Sequence, residues 1–514
     1  MAEPGPVPVA QSLKEIYTED AISTQTGRWQ RLLAQFKTNY GHDAHFVSRS
    51  PGRVNIIGEH IDYSLYSVLP MAITTDVLLA VRVTEEGTTS DHYTIKVSNV
   101  QGDKFVAREF QIPFDTVDID SKVHEWTNYF KSGLRGALEL LRVKRGNNVK
   151  PVSMEILMDG TVPAGGGLSS SAAFVSASAL AVMYANGEKS VDKKELTELA
   201  IVSERAVGVN SGGMDQSASV LSIRGSALFV SFVPGLTAQP IQFPKTTPEL
   251  SFLIAQSFVQ SDKQVTGPVC YNLRVVECSL AAAYLNAVLS KSTTPLPKDS
   301  GPLGISLNGF HQKYFKDSTE SVEEQLAELI EITKSTLTQP GYTREEIAPV
   351  IGMTVEELNR QFTSTFPVRA SHFKLRERAL HVFSEALRVL QFMALLSNPS
   401  SLDESLNQKL GALMNETQDS CREMYECSCP EIDALCSIAR KAGSYGSRLT
   451  GAGWGGCSVH LVPADKVEAV KKAWEAEYYS TRTLTAEQKE ASVVVSKPGS
   501  GSALLVVGEG GKFI

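Results

Sequence analysis

The residues best suited to chemistry lie in one short segment rich in glycine and serine. It runs Gly165, Gly166, Gly167, Leu168, Ser169, Ser170, Ser171 and Ala172. A predicted strand, residues 154–158, precedes it, and a predicted helix of small residues, 171–184, follows it. Glycines let backbone N–H groups approach an anion without a Cβ in the way, and the free amides at a helix start favour phosphate. The pattern favours a phosphate-binding loop over a plain glycine turn before a packed helix.

Two common nucleotide motifs are excluded by the same segment. It lacks the Gly-Lys-Ser/Thr ending of a Walker loop. Its glycines are consecutive and lie beside a serine triplet, which does not match the spaced glycines of a dinucleotide fingerprint. Any phosphate bound here is therefore held by another type of loop.

A second polar cluster lies earlier, between residues 50 and 63. Four of its side chains could pair with vicinal hydroxyl groups, as carboxylates in glycine-flanked loops do when they bind sugars: Arg53, Glu59, His60 and Asp62. A solvated surface loop is the alternative interpretation. The apolar Val54, Ile56 and Ile57 within the cluster indicate that it is buried.

A third cluster, residues 204–216, provides a candidate proton acceptor. Ser211, Gly212 and Gly213 predict a sharp turn that places Asp215 beside the apolar Met214. Asp215 could accept a substrate hydroxyl's proton if a cation such as Arg53 keeps it ionised and oriented. Glu204, near the end of the preceding helix, is a candidate magnesium ligand together with a loop serine. For Glu204 alone, an acid on a helix surface is an equally good interpretation.

A fourth segment, residues 444–458, is predicted as a glycine-rich loop between a helix and a strand. Glycine-dense loops bring the backbone close to a ligand or to a neighbouring loop. Trp454 within it is better explained by packing than by ligand binding.

The elements around these clusters predict two domains in 514 residues. Residues 77–83 predict a buried strand with residues 93–97 as its half-exposed neighbour, and helical periodicity covers residues 271–289 and 373–396. We predict a mobile tail and short helix over 1–45, an N-terminal domain over 46–245 and a C-terminal domain over 246–514. Residues 290–370 are predicted to be a peripheral insertion.

The overall composition excludes several classes of protein. With 49 basic and 57 acidic residues the formal charge is −8, which argues against a broad nucleic-acid surface. The first residues do not resemble a signal peptide, and no long uninterrupted apolar run predicts a membrane span. Seven cysteines, an odd number in a large chain, indicate reduced thiols rather than a disulfide framework or a zinc site. A cytoplasmic location is expected.

The four clusters, in this order, resemble the GHMP kinase superfamily and specifically its galactokinase branch. The resemblance rests on PGRVNIIGEHIDY (51–63), GGGLSSSAA (165–173), GGMDQ (212–216) and SRLTGAGWGGC (447–457). It weakens only in the insertion, and one mild departure is Ala452-Gly453-Trp454, where many members have Gly-Gly-Phe. CYNLRVVEC (270–278) and MYECSCPEID (424–433) are similar to the fungal members and also to N-acetylgalactosamine kinase, a near relative.

The resemblance implies a mixed α+β GHMP kinase fold of two domains, with the active site in the cleft between them. It implies ATP-dependent phosphorylation of galactose at C1, the first step of galactose catabolism, with ATP and Mg²⁺ required. The implied sugar pocket comprises Arg53, Glu59, His60, Asp62, Gly213, Asp215 and Tyr271. Asp215 is implied as the proton acceptor, held by Arg53, with Ser171 and Glu204 as the magnesium ligands. Trp126 and Tyr129 resemble the aromatic residues beside the adenine.

Two other functions stay open at this point. An N-acetylgalactosamine kinase needs room beside the sugar's 2-position, which the sequence does not measure. Some fungal relatives act as sensors that bind galactose and ATP and sequester a transcriptional repressor. Because the serine triplet, Asp215 and Arg53 are all present, a sensor without activity is disfavoured, whereas a bifunctional enzyme and inducer remains open.

Overall fold

The structure, a computed structural model, is built around one seven-stranded sheet and one four-stranded sheet. It describes residues 5–85, 89, 91–120, 123, 125–146, 149–163, 165–207, 212–260, 266–289, 294–364 and 368–508. The predicted turn residue Ser211 lies outside this part of the chain. Mixed helices and strands confirm the predicted α+β class.

The larger sheet has the strand order β1-β13-β2-β3-β6-β4-β5. Its strands are β1 (Val9–Ala10), β2 (Phe46–Ile57), β3 (Leu69–Thr84), β4 (His92–Asn99), β5 (Arg108–Pro113), β6 (Ser153–Gly160) and β13 (Ala503–Val506). All are antiparallel to their neighbours except the pairs β1/β13 and β4/β6. Residues 93–97 are therefore not the neighbour of β3, because β6 lies between them.

One side of this sheet is covered by tightly packed helices that lead into the polar clusters. These helices are α3 (Thr127–Arg145), α4 (Ser170–Ala185), α5 (Lys193–Arg205) and α6 (Met214–Leu221). Every residue of α4 from Ala172 to Met183 is buried. Its small side chains allow close packing: a Cβ added to Gly133 of α3 would come within 2.7 Å of the Val175 carbonyl oxygen. Close packing thus joins α3 to α4, and α4 in turn packs on β2 and β3 of the sheet.

The smaller sheet has the order β10-β11-β9-β12. Its strands are β9 (Leu250–Gln256), β10 (Gly446–Thr450), β11 (Cys457–Pro463) and β12 (Val493–Ser496), and a separate hairpin joins β7 (Ala227–Ser231) to β8 (Thr237–Ile241). The segment 444–458 is thus not a single loop. Because residues 446–450 pair with β11 and are all buried, the glycine-rich part is confined to residues 451–456.

The second half of the chain is mainly helical. Its helices are α7 (Tyr271–Leu289), α8 (Leu307–Tyr314), α9 (Val322–Thr336), α10 (Arg344–Val350), α11 (Val355–Leu358), α12 (Leu375–Ser397), α13 (Glu404–Glu423), α14 (Pro430–Lys441), α15 (Val467–Glu477) and α16 (Ala486–Glu490). Capping boxes begin α9, α10 and α11, which explains why this acidic stretch is helical. Leu326, Leu329 and Phe362 are fully buried, so the predicted peripheral insertion contributes to the core.

The two chain ends meet in the larger sheet. β1 pairs with β13, and the four-residue helix α1 (Leu13–Ile16) and the 19-residue helix α2 (Ile22–Tyr40) complete the N-terminal segment. Trp29 and Phe36 of α2 are buried. Residues 5–45, predicted as a mobile tail and a short helix, thus contain the strand β1 and the 19-residue helix α2. Residues 503–506, which we predicted to lie in the C-terminal domain, pair with β2 of the larger sheet.

Helix α12 is the one described helix whose length and composition would allow it to cross a membrane. Its most apolar window is 61% buried inside the protein. It packs against α7, α9 and α13 and carries buried polar residues, among them His381 and Glu385. In this fold α12 is a core helix.

Candidate active site

The predicted phosphate loop lies between β6 and α4 with its backbone in the left-handed region. Gly165 and Gly167 have φ of 70° and 72°, and Ser169 has φ of 60° at the N-cap of α4. Ser169 does not cap the helix with its side chain, and its buried Oγ has no hydrogen-bond partner among the residues that the structure describes. Free first-turn amides and an unpaired buried hydroxyl together favour an anion at this helix start.

The glycine-rich segment 451–456 packs directly on this phosphate loop. A Cβ added to Gly451 would collide with the carbonyl oxygen of Gly167, and one added to Gly456 would lie 2.9 Å from that of Gly166. A Cβ on Gly167 would in turn come within 2.9 Å of the Thr450 carbonyl oxygen. Only glycine permits such backbone contact. The two predicted glycine-rich loops are therefore in direct backbone contact with each other.

Arg53 links this loop to Asp215. Its Nε donates to Asp215 Oδ1 at 2.8 Å, and its Nη2 lies 2.6 Å from the same oxygen. Its Nη1 donates to the Gly167 carbonyl at 2.8 Å, and its backbone N–H to the Leu168 carbonyl. Burial alone would lower the pKa of Arg53, but the Asp215 and Glu59 carboxylates raise it overall. The Arg53 guanidinium thus lies between the Asp215 carboxylate and the phosphate loop.

Asp215 lies in the first turn of α6, facing Asp62. Gly213 is the N-cap of α6 with φ of 122°, and the Met214 N–H donates to Asp62 Oδ2 at 3.3 Å. Burial and the neighbouring Asp215 raise the pKa of Asp62 to about 6. Two carboxylates sharing one buried site can accept hydrogen bonds from several hydroxyl groups.

Tyr271, the first residue of α7, faces the same pair of carboxylates. Burial raises the pKa of its phenol well above the usual value, and Asp62 and Asp215 add to the effect. Arg205, at the end of α5, is also close: burial lowers the pKa of this guanidinium, while Asp62 and Tyr271 oppose that change. The predictions omitted Arg205, although it lies next to Glu204 in the sequence.

Glu59 and His60 turn towards residues 448–452. Glu59 accepts from Arg448 Nη2 and from the Gly451 N–H, the latter at 3.0 Å. His60 bonds the Ala452 carbonyl through Nε2 at 3.0 Å. A carbonyl oxygen can only accept, so Nε2 carries the proton. In the neutral ring, Nδ1 then accepts from the Tyr63 hydroxyl at 2.8 Å.

Both ring nitrogens of His60 are thus engaged by protein partners. The Tyr63 hydroxyl lies 2.6 Å from that of Tyr425, which in turn lies 3.2 Å from Cys278 Sγ. In this structure His60 joins residues 58–62 to the C-terminal half of the chain. Its direct contact with the sugar, which the resemblance implied, stays a prediction.

The implied magnesium ligands come from two of the helices beside the phosphate loop. Glu204 is buried near the end of α5 and accepts from Gln216 Nε2. Ser171 is half-buried in the first turn of α4. Among the described residues, no three or more His, Cys, Asp or Glu side chains form a group that could hold a metal ion.

The implied adenine residues begin helix α3. Trp126 is its N-cap, and its indole N–H donates to the Val106 carbonyl at 3.0 Å. Its ring stacks on Phe174 of α4, with centroids 5.9 Å apart and an interplanar angle of 14°. Tyr129, three residues further on, packs against the core. An aromatic surface therefore adjoins the helix that begins at the phosphate loop.

Arg448, His381 and Glu385 are functional candidates that the sequence analysis missed. Arg448 pairs with Glu59, and the other two contact the backbone of residues 58 and 59. His381, Glu385 and Arg388 share one face of α12 at positions i, i+4 and i+7. The signal available in the sequence for the two α12 residues was the repeat of polar side chains on the buried face of an apolar helix.

Three family models match the chain. They are the galactokinase galactose-binding signature over residues 34–83, the GHMP kinases N terminal domain over residues 128–222 and the GHMP kinases C terminal model over residues 400–480. The first contains the cluster with Arg53 and Asp62, and the second contains the phosphate loop and Asp215.

The chain is also similar to whole proteins of known function. It is 43% identical to the galactokinase of Saccharomyces cerevisiae over 500 residues, covering 92% of this chain and 94% of that protein. It is 38% identical to the galactokinase of Schizosaccharomyces pombe over 507 residues, covering 94% and 96%. The crystal structure of Lactococcus lactis galactokinase complexed with galactose shares the fold, with a TM-score of 0.64, 24% identity and coverage of 92% and 99%.

Proposed function

Because the chain belongs to the galactokinase family of GHMP kinases, we propose that it transfers the γ-phosphoryl group of ATP to the C1 hydroxyl of galactose. The products are galactose 1-phosphate and ADP. The observation that best supports this is the position of Arg53, which contacts Asp215 on one side and the Gly167 carbonyl on the other. These two contacts support a site in which a sugar hydroxyl beside Asp215 and a phosphate on residues 165–171 lie close together.

In the proposed reaction the C1 oxygen of galactose attacks the γ-phosphorus of ATP. The C1 O–H bond breaks and its proton passes to the Asp215 carboxylate, while the bond from the γ-phosphorus to the bridging oxygen breaks and ADP leaves. Arg53 orients Asp215 through two contacts and offsets negative charge on the transferred group. Phosphoryl transfer depends mainly on such positioning and charge neutralisation.

The amides at the start of α4 and the hydroxyls of Ser169, Ser170 and Ser171 are proposed to hold the phosphates. The buried Oγ of Ser169, which has no partner in the described part of the chain, supports this assignment. The adenine is proposed to lie against Trp126 and Tyr129, whose helix packs against α4.

Mg²⁺ is proposed to bind through Glu204 and Ser171. A carboxylate and a hydroxyl are hard oxygen donors, and Mg²⁺ in kinases commonly takes one or two protein carboxylates, with phosphate oxygens and water as its other ligands. A site with few protein ligands fits the lack of a larger His, Cys, Asp or Glu group in the described chain. When bound, the ion neutralises phosphate charge.

Replacing Asp62 is expected to weaken sugar binding more than it slows the chemical step. Asp62 is buried beside Asp215 and offers acceptor oxygens to the sugar. In Asp62→Ala we expect the KM for galactose to rise by about 10- to 100-fold, as for a lost hydrogen bond to a charged group. Steady-state kinetics with galactose varied at saturating ATP measure this, and an unchanged KM would contradict the assigned role.

The raised pKa of Asp62 predicts that sugar binding depends on pH. Because burial raises that pKa to about 6, the ionised form prevails above that pH and is lost as the pH falls below it. Galactose affinity should therefore be flat above about pH 7 and fall by up to about tenfold per unit at lower pH. Calorimetric titration across pH 5–8 tests this. In Asp62→Asn the dependence should disappear, and a persistent inflection would assign it to another group.

The sugar assay that tests the proposal compares galactose with N-acetylgalactosamine. ADP release is measured for both sugars at equal concentrations, with glucose as a control for the 4-position. We expect kcat/KM to be highest for galactose. Preferred turnover of N-acetylgalactosamine would replace the proposed substrate with that of the near relative.

Two expectations from the sequence stay predictions. Ligand-dependent binding to a transcriptional repressor is tested by pull-down with and without galactose and ATP. A cytoplasmic location is tested by cell fractionation.

A further inference from the structure

We propose that two residues of α12, His381 and Glu385, hold the backbone of residues 58–62 in the conformation that binds the sugar. Residues 58–62 are called the sugar loop. The inference rests on the proposed function, because it concerns how the sugar loop presents Asp62 to the substrate. His381 and Glu385 are both fully buried, so they act through the loop and not on the sugar itself.

Glu385 binds two successive amides of the sugar loop. Its Oε1 accepts from the Gly58 N–H at 2.8 Å and from the Glu59 N–H at 3.0 Å. Its Oε2 accepts from Arg388 Nε at 2.9 Å and from the Thr417 hydroxyl at 2.8 Å. Four donors therefore converge on one carboxylate, an arrangement that a neutral amide with a single acceptor oxygen cannot satisfy.

His381 binds the carbonyl of Glu59, the residue whose amide is bound by Glu385. Its Nε2 lies 3.0 Å from the Glu59 carbonyl oxygen, and its Nδ1 lies 2.8 Å from the Ser420 hydroxyl. Because a carbonyl only accepts, Nε2 is the donor and Nδ1 accepts from Ser420. Glu59 is thus held by its amide, its carbonyl and, through Arg448 and Gly451, its side chain.

The charge states of the two residues suit these roles. Burial alone would raise the pKa of Glu385, but the Arg388 and Arg448 guanidiniums lower it to about 2, so the carboxylate is ionised at any working pH. Burial lowers the pKa of His381 to about 4, although Glu385 and the Glu59 carbonyl oppose this, while Arg388 and Arg378 add to it. The imidazole is therefore neutral and has a single N–H to donate.

The conformation of the sugar loop explains why outside support is required. Gly58 has φ of 103° and His60 has φ of 60°, a left-handed conformation that a non-glycine residue adopts only at a free-energy cost. Between them, Glu59 is anchored to α12. This shape turns His60 towards Ala452 and leaves Asp62, two residues on, facing Met214 and Asp215. Loss of the α12 contacts should let the loop relax and displace Asp62.

The test compares His381→Leu with His381→Gln. Leucine removes the donor to the Glu59 carbonyl, whereas the glutamine amide can supply an N–H in its place. We expect His381→Leu to raise the KM for galactose and its calorimetric Kd by about tenfold or more. The KM for ATP should stay within about twofold, and glutamine should restore most of the galactose affinity. A merely structural role would lower thermal stability without this selective and reversible effect.

Glu385→Gln and Asp76→Asn form the second pair. Both replace a fully buried carboxylate that is paired with arginine, but Asp76 pairs with Arg28 and Arg49 away from the sugar loop. Both variants should lose thermal stability, and only Glu385→Gln should lose galactose affinity selectively. Folded His381→Leu and Glu385→Gln enzymes with wild-type KM for galactose would overturn the inference. Asp62→Ala is measured alongside: a normal KM there would refute the sugar-site assignment itself.

Discussion

Asp215→Asn is expected to reduce the kcat for galactose phosphorylation by about 10²- to 10⁴-fold, the range of a lost general base. The amide keeps the size of the side chain and an acceptor oxygen for Arg53, but it cannot take up the proton of the C1 hydroxyl. The ion pair with Arg53, at 2.6 Å, is also lost. Single-turnover measurement of ADP formation, with the enzyme in excess over ATP and with galactose saturating, gives the rate of the chemical step.

Binding separates this role from a structural one. Because Asp62 and the sugar loop are unchanged, galactose should bind Asp215→Asn within about tenfold of wild type, less than one hydrogen bond to a charged group contributes. Glu155→Gln is the matched control. Glu155 lies on β6, is similarly buried, and pairs with Arg82 of β3 and Lys96 of β4. It should retain wild-type kcat. An Asp215→Asn enzyme with the same kcat as Glu155→Gln would remove Asp215 as the proton acceptor.

The parts of the site that could be predicted from sequence are those in which neighbouring residues act together. The run of glycine and serine residues 165–171 holds all the residue types of a phosphate loop in one segment. The strand before it and the helix after it are visible as periodic patterns. Asp215 was identifiable because the glycines before it predict a turn. In each case the proposed role depends on the local backbone shape, which local propensity and spacing determine.

The parts that could not be predicted depend on residues far apart in the chain. Glu385 binds an amide 327 positions away and Arg448 a carboxylate 389 positions away, and no local pattern reports such pairs. The same limit explains the error at β4: its position next to β6 is set by sheet topology and not by order along the chain. Glu59 and His60 were recognised as buried polar residues, but their partners in residues 448–452 became visible only in the fold.

Gly451→Ala is expected to damage both the active site and the stability of the fold. Gly451 has φ of 89°, and an added Cβ would collide with the carbonyl oxygen of Gly167. That oxygen is the acceptor for Arg53 Nη1, so moving it disturbs the phosphate loop and the arginine that holds Asp215. A displacement near 1 Å in such a site can lower the rate by about 100-fold. Left-handed strain and overpacking together should lower the free energy of unfolding by about 2–5 kcal/mol.

The comparison with Gly41→Ala isolates the collision from the backbone strain. Gly41 ends α2 with φ of 76°, and a Cβ there would meet nothing within 4 Å. This control should lose only about 1–2 kcal/mol in chemical denaturation and keep its kcat. In Gly451→Ala, calorimetry should show weaker binding of ATP analogues, because the phosphate loop is displaced, and the slower turnover should persist well below the melting temperature. If Gly451→Ala matched Gly41→Ala in kcat, the contact between the two glycine loops would have no part in catalysis, and Arg53 would have to hold its position without it.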